Sequence, residues 1–151
     1  MSFWSNMRVS ASALSAQRLR LDIISNNIAN AQTTKTDAGG PYKRQDVVFT
    51  AANSQNGLPD FIANRLGSSI PLGENESGVQ VAKIVTDDST GAKVYYPTHP
   101  DADKDGYVTY PNVDLVTEMT NMLTATRSYE ANLEVVDASK TMALKALNIG
   151  R

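Results

Sequence analysis

Cysteine is absent from the 151 residues. That excludes disulfides and thiolate metal sites. Histidine occurs once, as His99 between Pro97 and Pro100. A single imidazole with no cysteine or placed serine nucleophile lacks the parts of a hydrolytic site. No glycine-rich phosphate loop of either common spacing is present. No apolar run approaches the roughly 20 residues that span a bilayer. Charge of one sign is also scarce. The net charge of -2 and pI near 5.3 give no field for holding nucleic acid or an anionic membrane. The opening Met1-Ser2-Phe3-Trp4-Ser5-Asn6 lacks the apolar stretch of a cleavable signal peptide. The expectation is a chain that stays in the cytosol, or leaves it by a route that does not read such a peptide. These absences predict no enzyme, no catalytic residue, no cofactor and no metal.

What is present is helical periodicity at both ends. Met7, Leu14, Leu21 and Ile28 recur every seven residues. Leu115, Met119, Met122, Thr126, Tyr129, Leu133, Val136, Lys140, Ala143 and Leu147 follow an alternating four-three spacing. Such spacing lays a continuous stripe along one side of a helix. Residues 2–31 read as a slender helix, with Ala11, Ala13, Ala16 and several serines allowing close approach. The C-terminal helix reads as about 37 residues, which exceeds an ordinary globular helix and argues for a coiled coil or helical stack. Arg8, Arg18, Arg20 and Lys35 stand against Asp22 in the first 36 residues, so this end is basic and fits an acidic partner surface.

The middle reads as strands and loops. Lys43–Thr50 is a predicted strand. Val79–Thr86 and Ala92–Tyr96 are predicted strands joined as a hairpin through Asp87-Asp88-Ser89-Thr90-Gly91. Residues 51–78 read as a long ordered loop, and Gly106–Tyr110 as a short extended piece. The predicted fold is α+β: long N- and C-terminal helices paired as an antiparallel coiled coil around a small β-rich middle. The divisions are 1–36, 37–111 and 112–151. Two helices of this length exceed what so small a middle can cover. The isolated chain is expected to leave its ends partly unfolded and to order them on assembly.

Two local motifs remain. Asp101-Ala102-Asp103-Lys104-Asp105-Gly106-Tyr107-Val108 matches the first eight positions of an EF-hand loop. This offers an alternative reading as a calcium-binding interaction module using Asp101, Asp103 and Asp105. Against it, position 12 is Asn112 instead of a bidentate Glu, and prolines block a leading helix. Asn26-Asn27-Ile28-Ala29-Asn30 places three amides near a helix end, where asparagine is costly inside a helix. They can cap the helix, or bond to neighbouring subunits where Ala29 lets a backbone approach. Arg127 and Asn132 flank the second stripe with the same two readings.

Ser12-Ala13-Leu14-Ser15-Ala16-Gln17-Arg18-Leu19-Arg20-Leu21-Asp22, leading into Ser25-Asn26-Asn27-Ile28-Ala29-Asn30-Ala31, resembles the N-terminal signature of the bacterial flagellar rod and hook axial proteins. Gly40-Pro41-Tyr42-Lys43-Arg44-Gln45, His99-Pro100-Asp101 and Gly106-Tyr107-Val108 narrow the resemblance to basal-body subunits of the proximal rod. It implies a structural building block of the drive shaft, with partners among its own copies and other rod proteins. It also implies export by the flagellar type III apparatus and assembly in the periplasm, without nucleic acid or direct membrane insertion. On this reading the acidic turn is a family turn and not a metal site. The implied subunit-interface residues are Met7, Leu14, Leu21, Asn26, Asn27, Ile28, Ala29, Asn30, Leu115, Met119, Met122, Arg127, Tyr129, Asn132, Leu133 and Val136.

Overall fold

A computed structural model describes residues 3–52 and 78–149 of the chain. Most of the predicted loop at 51–78 lies outside the described residues. The element order is α1 (Phe3–Ala29), β1 (Gln45–Ala52), β2 (Gly78–Thr86), β3 (Lys93–Tyr95), β4 (Tyr107–Thr109) and α2 (Leu115–Ile149). The architecture is α+β, with two long antiparallel helices and two small sheets between them in sequence.

Helix α1 ends where Asn30 and the threonines after it form alternative bonds. The Thr33 hydroxyl donates to Asn30 Oδ1 at 3.2 Å, and the Asn30 amide donates to the Asn26 carbonyl at 2.9 Å. Such local bonding competes with helix propagation. Gly39 and Gly40 adopt left-handed φ values of 85° and 77°, closing a turn in which the Thr36 N–H donates to the Gly40 carbonyl. Helix α2 has 35 residues, about 52 Å at 1.5 Å per residue. Asp114 caps it, with one carboxylate oxygen accepting from the Val116 N–H at 3.0 Å and the other from the Thr117 hydroxyl at 2.7 Å. These bonds hold the Asp114 carboxyl below the ordinary carboxylate value.

The packed seam differs from the apolar stripes expected from sequence. On α1 the buried residues are Ser10, Ala16, Ile23, Ile24 and Asn27, while Met7, Leu14, Leu21 and Ile28 are only half-buried. On α2 the most enclosed residues are Glu118, Ala125 and Ser139, with Asn132 half-buried between them at the same seven-residue interval. The expected positions Met122, Tyr129, Val136 and Ala143 are half-buried and form the other edge of this seam. Leu115, Met119, Leu133 and Leu147 face outward. On α2 the enclosed positions are small or polar and the larger apolar side chains lie at the flanks or outside, while α1 contributes Ile23 and Ile24 to the buried set beside Ser10, Ala16 and Asn27. Thr120, Thr124, Thr126, Ser128 and Asn132 each bond back to the carbonyl four residues earlier, so their polar groups need no partner across the seam.

The sheet topology also departs from the predicted hairpin. Strands β2 and β3 do not pair. β2 pairs antiparallel with β1, from Gln45↔Thr86 to Ala52↔Gly78, with a register shift at Val48/Phe49. β3 pairs antiparallel with β4 through Lys93↔Thr109, Val94↔Val108 and Tyr95↔Tyr107. The Asp87–Gly91 segment is therefore a crossing between two sheets. Asp87 folds it inward by accepting from the Ser89 N–H and from the Asn112 amide, and its N–H donates to the Arg44 carbonyl.

Sheet β1–β2 rests on α1. The Ser12 hydroxyl accepts from the Val79 N–H at 3.0 Å and donates to the Val9 carbonyl at 2.7 Å. Arg20 lies over the Phe49 ring, 5.9 Å from its centroid. Val108, almost wholly enclosed, anchors the second sheet.

Among the described glycines, Gly91 has the closest backbone neighbours. A Cβ there would collide with the Tyr110 carbonyl and lie 2.7 Å from the Pro111 carbonyl carbon and 2.8 Å from the Asn112 nitrogen. Neither strand can withdraw, because Tyr110 N–H donates to the Ala92 carbonyl at 2.9 Å. Gly91→Ala should lower stability by about 3 kcal/mol or more, at the upper end of overpacking costs. Urea denaturation followed by circular dichroism checks this, and a loss below about 1 kcal/mol contradicts the packing.

Candidate functional site

The end of α1, the start of β1 and the first turn of α2 meet at one buried amide. Asn27 is 0% exposed. Its Nδ2 donates to the Gln45 carbonyl at 2.7 Å and to Glu118 Oε2 at 3.1 Å. Its Oδ1 accepts from the Gln45 N–H at 3.0 Å and from the Tyr42 hydroxyl at 3.0 Å. A carboxamide has two donor hydrogens and two acceptor lone pairs, and all four are engaged. Towards Gln45 the side chain bonds both the N–H and the C=O, as a neighbouring peptide group would. Towards α2 it meets a carboxylate that is 1% exposed.

Glu118 lies in the first turn of α2, where the helix dipole favours negative charge. Its Oε1 accepts from Arg44 Nε at 2.9 Å. Arg44 in turn reaches the exposed Asp46 carboxylate at 3.5 Å. Burial disfavours the charged guanidinium, but the hydrogen bond and charge of Glu118, helped by Asp46, outweigh it and raise the Arg44 pKa. The Tyr42 phenol is also pushed up, first by burial and then by the Glu118 charge. The joint thus holds a charge pair, an amide and a neutral phenol. It contains no nucleophile, and what it does is fix three elements in register.

The structure distributes the other sequence-derived candidates as follows. Asn27 was a candidate for reaching a neighbouring subunit, but its amide is enclosed and bonded entirely within the chain. Asn26 and Ala29 are exposed, and Asn30 is half-buried with its amide used locally. Arg127 is exposed, and Asn132 bonds back to Ser128. Sequence reasoning gave no role to Glu118, Tyr42, Arg44 or Gln45. The Tyr42–Gln45 run carried part of the family resemblance, and Glu118 is an acid in the first turn of a helix, a position that needs no further explanation on its own.

The acidic turn is committed to a structural tie. Asp101 Oδ2 accepts from the Thr34 hydroxyl at 2.8 Å, and its Oδ1 lies 4.0 Å from Lys35 Nζ. The Asp101 N–H donates to His99 Nδ1 at 3.1 Å. Asp103 donates its N–H to the Tyr107 carbonyl at 2.8 Å. Among the described residues no three His, Asp or Glu side chains converge on a metal position. Nothing here supports the calcium-module reading.

Two tests follow from the joint. Asn27→Ala leaves the Gln45 N–H and C=O and one Glu118 oxygen without their partner inside the fold. The expected loss is about 2–4 kcal/mol, beyond the ~1 kcal/mol of a lost helix cap. Equilibrium denaturation of the purified chain measures it, and a loss near 1 kcal/mol would reduce Asn27 to a cap. The second test uses pH. The folded Tyr42 pKa lies above its ordinary 10.0, so its contribution is complete below pH 10.0 and is lost as pH rises through the folded value. Thermal melts of wild type and Tyr42→Phe should therefore diverge less as pH rises beyond 10.0. A constant difference across that window contradicts the assignment.

Comparison with known proteins agrees with this architecture. Residues 7–35 match the family described as "Flagella basal body rod protein", and residues 104–149 match "Flagellar basal body rod FlgEFG protein C-terminal". These matches fall on α1 with the turn after it, and on β4 with α2. The chain is 44% identical to the flagellar basal-body rod protein FlgC of Borreliella burgdorferi, over 99% of this chain and 98% of that one. It is 41% identical to FlgC of Bacillus subtilis over 100% of both chains, and 38% identical to FlgC of Salmonella typhimurium over 95% and 94%. Similarity at this level over nearly the full length of both chains places this chain in the flagellar basal-body rod protein FlgC family.

Proposed function

We propose that this chain is a structural, non-enzymatic subunit of the proximal rod of the bacterial flagellar basal body. As such it forms part of the drive shaft that transmits torque from motor to hook and filament. The observation that carries the reading is how the helices divide their surfaces. On α2 the small and polar Ala125, Ser139 and Glu118 are enclosed within the subunit, while Val116, Met119, Leu123, Leu133, Val135, Met142, Leu144 and Leu147 stand exposed. Apolar surface of this extent on one helix is unfavourable in water and is relieved by neighbours. Other copies of the chain and other rod proteins are the proposed neighbours. The exposed Leu115, Arg127 and Leu133, the half-buried Met7, Leu14, Leu21 and Ile28, and Asn26, Ala29 and Asn30 at the end of α1 are the proposed contact residues. No described helix is long and apolar enough to cross a membrane. Delivery by the flagellar type III export apparatus and assembly in the periplasm complete the proposal.

The test is genetic and biochemical. Cells lacking the chain should not swim, and basal bodies from complemented cells should contain it. Swimming without the chain, or basal bodies devoid of it, overturns the reading. A sharper expectation concerns Leu133→Asp. Because Leu133 is exposed in the subunit, the change should alter monomer stability by no more than about 0.5 kcal/mol. In the assembled rod the same carboxylate is buried unpaired at a cost of several kcal/mol, so swimming should fail. Normal swimming with Leu133→Asp removes that residue from the contact surface.

A further inference from the structure

The β3–β4 sheet carries an aromatic face that neither helix covers. Residues paired across an antiparallel ladder share a face, so Tyr95 and Tyr107 stand together on it. Their rings pack edge to face, 5.3 Å between centroids at 65°. The Tyr95 ring also lies over Gly106, where a Cβ would sit 2.9 Å from a ring carbon; glycine carries none, and it also suits the left-handed φ of 77° at this position. Both rings are thus held in place from within the subunit, yet Tyr95 is 63% and Tyr107 47% exposed. Exposed aromatic side chains that are already fixed lose little entropy on binding, which is the character of an interface anchor. Asp103 and Asp105 are exposed on the turn that leads into Tyr107, and the Asp103 N–H donates to the Tyr107 carbonyl at 2.8 Å.

We propose that this face receives α1 of a second copy of the chain, with the Arg18 guanidinium laid against the Tyr95–Tyr107 pair and held by Asp103 and Asp105. The proposal rests on the rod-subunit reading and names one of its contacts. Charge complementarity supports it. Arg20 lies over Phe49 and Lys35 faces Asp101 within the subunit, whereas Arg18 is exposed on α1 in line with Ser15 and Asp22, away from the buried Ala16 and Ile23; on the turn the exposed Asp103 and Asp105 outnumber Lys104. Arginine combines stacking on an aromatic face with bidentate bonds to carboxylates, which is the chemistry this patch displays. The two surfaces are different parts of the chain, so their contact is heterologous. It propagates along an axis, where a self-complementary contact would close a dimer.

The test is a charge exchange in cells whose native copy has been removed. Arg18→Glu alone, and Asp103→Lys with Asp105→Lys, should each reduce swimming, and the three changes together should restore it. The contact is overturned if either set swims like wild type, or if the combination swims no better than the poorer of the two. Because the chain has no cysteine, a second measurement is unambiguous. Ser15→Cys with Lys104→Cys, treated with a bis-maleimide in isolated basal bodies, should give a ladder of multimers of this chain. Only monomer, or a cross-link solely to a different rod protein, overturns the choice of occupant. The two readings fail differently. If cells without the chain swim, the rod reading is lost. If they do not swim but the charge reversals do, only this contact is lost.

Discussion

A primary amide sealed from water must have its bonds met by the protein, and the arrangement around Asn27 follows from that requirement. Leaving such a group unpaired costs about 1–3 kcal/mol per bond. Here the four partners come from three places: the segment before β1, the first residue of β1, and the first turn of α2. Moving any of these breaks a buried bond. The amide therefore fixes where the middle region departs from α1 and where α2 starts beside it. Arg44 then secures Glu118 from its other side, so the buried carboxylate is also paired. Replacing one partner leaves the rest uncompensated, which is why such networks act as a unit.

The same economy of space shapes the helix pair. On α2 the enclosed Glu118, Ala125 and Ser139 bury little apolar area, and the larger apolar burial of the helix pair comes from Ile23 and Ile24 of α1. A soluble helical hairpin usually turns its largest apolar residues inward. In this chain α2 does the reverse, and the consequence is a subunit whose outer helical surface is unfinished. That suits a part whose neighbours supply the remaining burial, and it suits a shaft, where torque is resisted by extensive side-chain contact and not by chemistry.

The acidic turn shows how a local pattern can match part of a motif as a string and take another role as an object. Acids at alternate positions followed by glycine open a calcium loop, though Asn112 stands where its bidentate Glu belongs, and the same residues build a tight turn with an outward aromatic pair. The decision is made by residues distant in sequence. Thr34 and Lys35 take Asp101, and Tyr95 covers Gly106. The turn ties the segment after α1 to the second sheet, and its remaining carboxylates are left to solvent and partners.

Seven-residue periodicity by itself determined that both ends are long helices and that they pair, because no other local structure repeats at that interval. Glycine and proline positions determined where α1 gives way and that the middle is extended. Motif order along the chain was enough to identify the family. The sequence could not decide which stripe faces inward. The apolar stripe is the visible one, whereas Glu118, Ala125, Asn132 and Ser139 carry no common hydrophobic signal. Nor could it decide strand partners: Asp87–Gly91 has good turn chemistry, but the nine-residue β2 pairs along its length with the eight-residue β1, where β3 has only three residues to offer. Above all, the burial of Asn27 was invisible, since an asparagine near a helix end has a sufficient local explanation as a cap. Only the tertiary structure brings Tyr42, Gln45 and Glu118 to the same amide, because their convergence depends on the path of the chain between them.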